Sequence, residues 1–96
     1  MKEKFSNCSL LEKIDFLNFN TLNVTDMSGM FSFCSSIKEL NFTKFNFNNV
    51  NDLSGMFIGC SSLEELNIPC FNNNKIINVN GMFSGCSTNF KNKIRQ

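Results

Sequence analysis

The sequence predicts an α/β repeat solenoid, with short parallel strands stacked on one side and short helices on the other. Three observations carry that prediction. Cys8, Cys34, Cys60 and Cys86 are spaced 26 residues apart, and Phe5, Phe31, Phe57 and Phe83 keep the same step. Residues 30–55 and 56–81 share 12 identities over 26 positions without a gap. Within one unit the apolar spacing changes from 2 to a helical period, as expected of a strand followed by a helix.

The strands come from alternation. Leu40 and Phe42 alternate with Glu39 and Asn41, Ile14 and Phe16 do the same one unit earlier, and Leu66 and Ile68 one unit later. Such alternation marks a half-buried strand. Three parallel strands are therefore expected, or four if the last unit completes one. The helices come from Met27, Met30, Phe31 and Cys34 at i, i+3, i+4 and i+7, one face of a helix. Asp26 precedes that run as a candidate N-cap, with Asp52 and Asn78 in the same place later. Such a helix is about two turns long, and a 3₁₀ segment is an alternative. Gly29, Gly55 and Gly81 recur inside it. Glycine costs a helix about 1 kcal/mol against alanine, so its recurrence means either close approach of neighbouring units or a segment that is not helical.

The chain reads as one repeat domain, 1–96, made of a partial coil 1–29, coils 30–55 and 56–81, and a terminal partial coil with tail, 82–96. A single unit cannot bury its own apolar face, so the units must cover one another. Lys4 stands where Met30 and Met56 stand, a polar substitution suited to an exposed first layer, and end-to-end self-association is expected of open end strands.

The motif Asn23-Val24-Thr25-Asp26-Met27-Ser28-Gly29-Met30-Phe31, then Cys34-Ser35-Ser36-Ile37 and Leu40-Asn41-Phe42, resembles the BspA-like leucine-rich-repeat surface proteins. Their units run close to NVTDMSGMFSGCSSL followed by an LDLSNF strand. Met56-Phe57-Ile58-Gly59-Cys60-Ser61-Ser62-Leu63 and Met82-Phe83-Ser84-Gly85-Cys86-Ser87 fit the same pattern. The resemblance spans about residues 5–87. It implies a leucine-rich-repeat-like arc, a cell-surface or secreted location, and a role in adhesion or protein recognition without catalysis.

Composition narrows the function classes. Nine basic and eight acidic residues leave a net charge of +1, which offers no electrostatic footprint for nucleic acid. No apolar run reaches the roughly 18 residues of a membrane span, so no membrane insertion is expected. Lys2 and Lys4 are not followed by the apolar run of a signal peptide, and no anchor is read in the chain. The chain holds no histidine for a general base and no Gly-rich phosphate loop, so no enzyme and no cofactor are expected. Five cysteines are an odd number for a disulfide framework, and C-x-x-C spacing for zinc is lacking. The ladder cysteines Cys8, Cys34, Cys60 and Cys86 are read as small buried fillers. Cys70 lies outside the ladder and is the candidate reactive thiol.

Asn20, Asn46 and Asn72 recur after each strand and are read as a structural ladder pairing backbone groups of adjacent units. Phe19, Phe45 and Phe71 form a core column. Phe33 and Phe47 break their columns, facing Gly59 and Asn73 in the alignment, and are candidate surface contacts. Two outward strand columns, Lys13, Glu39, Glu65 and Asp15, Asn41, Asn67, form the candidate face for a protein partner. The competing reading is a spacer, a piece of a longer surface repeat protein with no partner of its own.

Overall fold

Alternate backbone N–H groups of residues 27–34 serve two different sets of acceptors, and that division builds the fold. In a computed structural model, which describes residues 1–14, 16, 19–68 and 78–94, this segment is a run of linked β-turns. The N–H groups of Met30, Ser32 and Cys34 donate three residues back, to the carbonyls of Met27, Gly29 and Phe31. Those of Met27, Gly29, Phe31 and Phe33 leave the turns and donate to Asp52, Ser54, Met56 and Ile58, at 2.6–2.9 Å. The same 25-residue step joins Glu3, Phe5 and Asn7 to Ser28, Met30 and Ser32, and Gly55, Phe57 and Gly59 to Asn80, Met82 and Ser84. Parallel bridges Asp26↔Asp52 and Asp52↔Asn78 open these rows.

An α-helix needs every N–H to bond four residues back. Here half of the donors go to the next unit, so the helices expected from Met27, Met30, Phe31 and Cys34 do not form. The apolar face itself is real, since all four side chains are fully buried. Positive φ recurs at the third position of the turns, at Glu3, Gly29, Gly55 and Gly81 and again at Asn7, Phe33, Gly59 and Gly85. That conformation ends a helix and suits a turn. Asp26 is accordingly no helix cap: its Oδ1 accepts from the Ser28 N–H at 2.8 Å and the Ser28 hydroxyl at 2.6 Å, tying a turn.

The strands are β1, Glu39–Asn41, and β2, Glu65–Asn67, parallel and in the register Glu39↔Glu65, Leu40↔Leu66, Asn41↔Asn67. Lys13 and Ile14 are not in a strand, and Asp15 lies outside the described residues. Ile14 is still half-buried and Phe16 buried, because alternation reports which side chains face inward and not whether the backbone is laddered. Among the described residues no fourth strand forms either. Residues of the last unit make α1, Thr88–Ile94, opened by the Ser87 hydroxyl accepting the Phe90 N–H at 3.1 Å.

The expected α/β repeat solenoid, its leucine-rich-repeat-like arc and its three- or four-stranded sheet backed by helices are therefore overturned. Among the described residues the chain has two parallel strands of three residues and one short helix, folded into a globule of 29 × 29 × 19 Å. What holds it together is a phenylalanine-rich core. Phe5, Phe31, Phe57 and Phe83 succeed one another at centroid distances of 5.2, 6.3 and 5.5 Å with near-parallel rings. Phe42 meets Phe16, Phe31, Phe45 and Phe57 within 6 Å. Aromatic pairs at such distances add roughly 0.5–1.5 kcal/mol each beyond the area they bury.

Candidate functional site

The register of β1 and β2 sets the geometry of the strand face. Leu40 turns inward and is buried, so Glu39 and Asn41 point outward, and Glu65 and Asn67 stand beside them as direct neighbours. All four are exposed, as is Lys13. The face therefore carries two carboxylates side by side on strands about 4.8 Å apart. Like charges directly opposite one another on neighbouring strands are mutually unfavourable. Asn41 is partly committed, because its Oδ1 accepts the Thr43 N–H at 3.0 Å. Next to this face an open polar groove of about 610 Å³ runs between residues 61–64 and 87–90, with Lys38 at its edge and buried Leu63 and Phe90 at its floor.

The cysteine column has a chemistry beyond filling space. Cys34, Cys60 and Cys86 are buried, Cys8 is half-buried, and all four are free thiols. Cys34 Sγ donates to the carbonyl of Phe5 at 3.0 Å, Cys60 Sγ to that of Phe31 at 3.1 Å, and Cys86 Sγ to that of Phe57 at 3.3 Å. Burial raises the pKa of Cys34 and Cys86 and pushes that of Cys60 up to about 12. These are protonated donors, the opposite of a reactive thiolate. Cys70 lies outside the described residues.

The asparagine column behaves differently from the expected link between units. Asn20 Oδ1 accepts the Leu22 N–H and Asn46 Oδ1 the Asn48 N–H, each two residues on in its own unit. Asn72 lies outside the described residues. Other side chains cross between units here: the hydroxyl oxygen of Thr21, 3% exposed, accepts the Asn46 N–H at 2.8 Å, and the Asn49 amide donates to the Leu22 carbonyl at 2.7 Å. With Asp26, Asp52, Asn41 and Asn78, Asn20 and Asn46 form a recurring set of side-chain-closed turns. Asn and Asp suit these places because their side-chain oxygen reaches the N–H two residues on. The signal was present in the sequence as Asp26-x-Ser28 and Asp52-x-Ser54. The hydrogen bond from the Ser28 hydroxyl holds the Asp26 carboxyl below its ordinary pKa.

Of the two aromatics expected at the surface, Phe47 is buried at 6% exposure and packs on Phe42 and Phe45. Phe33 is 55% exposed and adopts φ of 62°. Its ring covers Gly59, where a Cβ would lie 2.6 Å from Phe33 Cδ1. Core packing of Phe31, Phe45 and Phe57 is as expected, with Phe5 and Phe19 half-buried at the first layer. Phe71 lies outside the described residues.

Among the described residues no group of three or more His, Cys, Asp or Glu converges on a common point, and no helix is long and apolar enough to cross a membrane. No curated protein and no solved structure matches the chain. A family model described as "Mycoplasma protein of unknown function, DUF285" matches residues 1–96, and the chain belongs to that family.

Proposed function

We propose that the chain is a non-enzymatic module for protein recognition or cell-surface adhesion, related to the BspA-like surface proteins its repeat motif resembles. The observation that supports this most is the pairing of Glu39 with Glu65 on the exposed side of β1 and β2. Two carboxylates held side by side cost the free molecule a small repulsion. A lysine or arginine of a partner, placed between them, relieves it and gains two charge-assisted hydrogen bonds. The partner is then a protein presenting a basic side chain to the strand face, with Asn41 and Asn67 offering polar contacts alongside.

The test is a binding screen of the purified chain against extracellular proteins, repeated with the double variant Glu39→Lys/Glu65→Lys. A specific binder that the wild type retains and the double variant loses at least tenfold supports the reading. Binding that ignores both substitutions removes the strand face as the site. A chain that binds nothing in the screen speaks for the spacer role.

A further inference from the structure

We infer that the outer edge of β2 docks an extended, basic segment of a protein partner, which joins β1 and β2 as a third strand. The inference rests on the strand face being the recognition surface and adds the backbone conformation that this surface selects.

The edge follows from the hydrogen-bond pattern. The Glu65 N–H donates to the Lys38 carbonyl at 3.1 Å, and the Asn67 carbonyl accepts the Phe42 N–H at 2.7 Å. In a parallel ladder successive residues turn their backbone groups to alternate neighbours. Glu65 and Asn67 face β1, so Leu66 between them turns its N–H and carbonyl to the opposite side. The residues one repeat on, Lys91, Asn92 and Lys93, lie in α1, and among the described residues no strand flanks β2 there. Strand groups presented in this way are a template for another extended chain.

The side chains specify the occupant. Leu66 is half-buried where Leu40 of β1 is 3% exposed, and Ile68 is half-buried where Phe42 is fully buried. Apolar side chains pointing inward from a third strand cover both. Their outward neighbours stand beside Glu65, which already has Glu39 on its other side. Opposite charges on adjacent strands attract and like charges destabilise, so these outward residues are lysine or arginine. The groove of about 610 Å³ between residues 61–64 and 87–90 opens at the head of the same edge and takes the flanking residues. Ser61, Ser62, Ser87 and Asn89 offer them polar partners, and Lys38 confines the cationic side chains to the Glu65 end. Main-chain bonds to Leu66 then supply affinity, and the alternation of side chains supplies specificity.

The probe is a blocked six-residue peptide of alternating lysine and valine, titrated into the 96-residue chain and followed by NMR. The expected result is a shift and slowed hydrogen exchange at the Leu66 amide. Binding is expected to weaken at least tenfold with Glu39→Lys/Glu65→Lys, or with glutamate in place of the peptide's lysines. Two further peptides carry backbone N-methyl groups, one on its lysines and the other on its valines. Alternate N–H groups of a strand point to opposite edges, so one methylated peptide is expected to lose binding at least tenfold and the other to keep it. The methyl groups sit on the probe, so no variant has to fold for this comparison. Equal effects of the two methylations overturn the inference; if Glu39→Lys/Glu65→Lys still weakens binding, the strand face stands as a surface for basic side chains without strand addition. A chain that binds none of the peptides, or binds them with no change at Leu66, also overturns it, and a partner found in the protein screen then stands apart from this edge.

Discussion

The thiol of Cys60 donates to the carbonyl oxygen of Phe31 at 3.1 Å, and the same oxygen takes the backbone N–H of Cys34. Two cysteines of successive units thus meet at one acceptor. Replacing Cys60 by alanine removes the S–H donor and leaves a small void in a fully buried site. The expected loss is about 1–2 kcal/mol, read as a lower urea midpoint. Cys8→Ala, at a half-buried position without such an acceptor, is expected to change stability by less than about 0.5 kcal/mol. Equal effects at the two positions would show that the hydrogen bond contributes nothing.

The same thiol makes stability fall in alkali. Cys60 titrates near 12 in the folded chain and near 9.0 once exposed. Between those values the unfolded state has lost a proton that the folded state keeps, so unfolding becomes easier as pH rises. Stability is expected to be insensitive to this group below pH 9 and to decline steadily from 9 toward 12. Denaturant melts of Cys60→Ala over the same range should show a shallower decline, and identical slopes would assign the effect elsewhere.

Phe33 and Gly59 are predicted to be energetically coupled. Phe33 holds a left-handed backbone that costs a bulky residue about 1–2 kcal/mol, and its ring blocks any Cβ at Gly59. Phe33→Gly is expected to stabilise the chain by about 0.5–1 kcal/mol after the extra chain entropy of glycine is subtracted. Gly59→Ala alone is expected to destabilise by about 2 kcal/mol or more, from positive φ and the collision together. In the double variant the collision is gone, so the cost of Gly59→Ala should shrink. Strict additivity in thermal or urea unfolding would contradict the contact.

The paired turns at Asp26 and Asp52 each use one carboxylate oxygen to receive an N–H and a hydroxyl from the serine two residues on. Asp52→Ala is expected to cost about 1–2 kcal/mol. For Asp26 the hydrogen bonds favour the ionised form, so its contribution is present above the ordinary value of 3.8 and fades as pH falls through the lower folded value. Unfolding midpoints at pH 6 and pH 3 should differ less in Asp26→Ala than in the wild type.

How much of this was legible follows from what a period can report. The 26-residue step placed Cys34 beside Cys60 and Phe31 beside Phe57 correctly, because identical side chains at identical steps must share an environment. The inward face of Met27, Met30, Phe31 and Cys34 was legible for the same reason. Its helix was not, because linked turns and a short helix bury the same spacing. The decisive difference lay in the glycines at positions 29, 55 and 81, whose positive φ marks turns. The strand face was legible at Glu39, Asn41, Glu65 and Asn67 because alternation and register agree there. At Lys13 the alternation is present without a ladder, and only backbone geometry separates the two cases. A break in a column does not report exposure: Phe47 has no aromatic counterpart at Asn73, yet its ring fills space beside Phe42 and Phe45.

The strict division of N–H donors between a residue's own turn and the following unit has a genetic corollary. Slipping one codon into residues 27–34 exchanges the two sets of donors, so every downstream bond of that row would miss its acceptor. Gaining or losing a whole block of 78 nucleotides leaves each donor facing an oxygen of the same kind. Unequal crossing-over between such blocks is thus a change this architecture absorbs, whereas a single-codon insertion in the turns breaks the row.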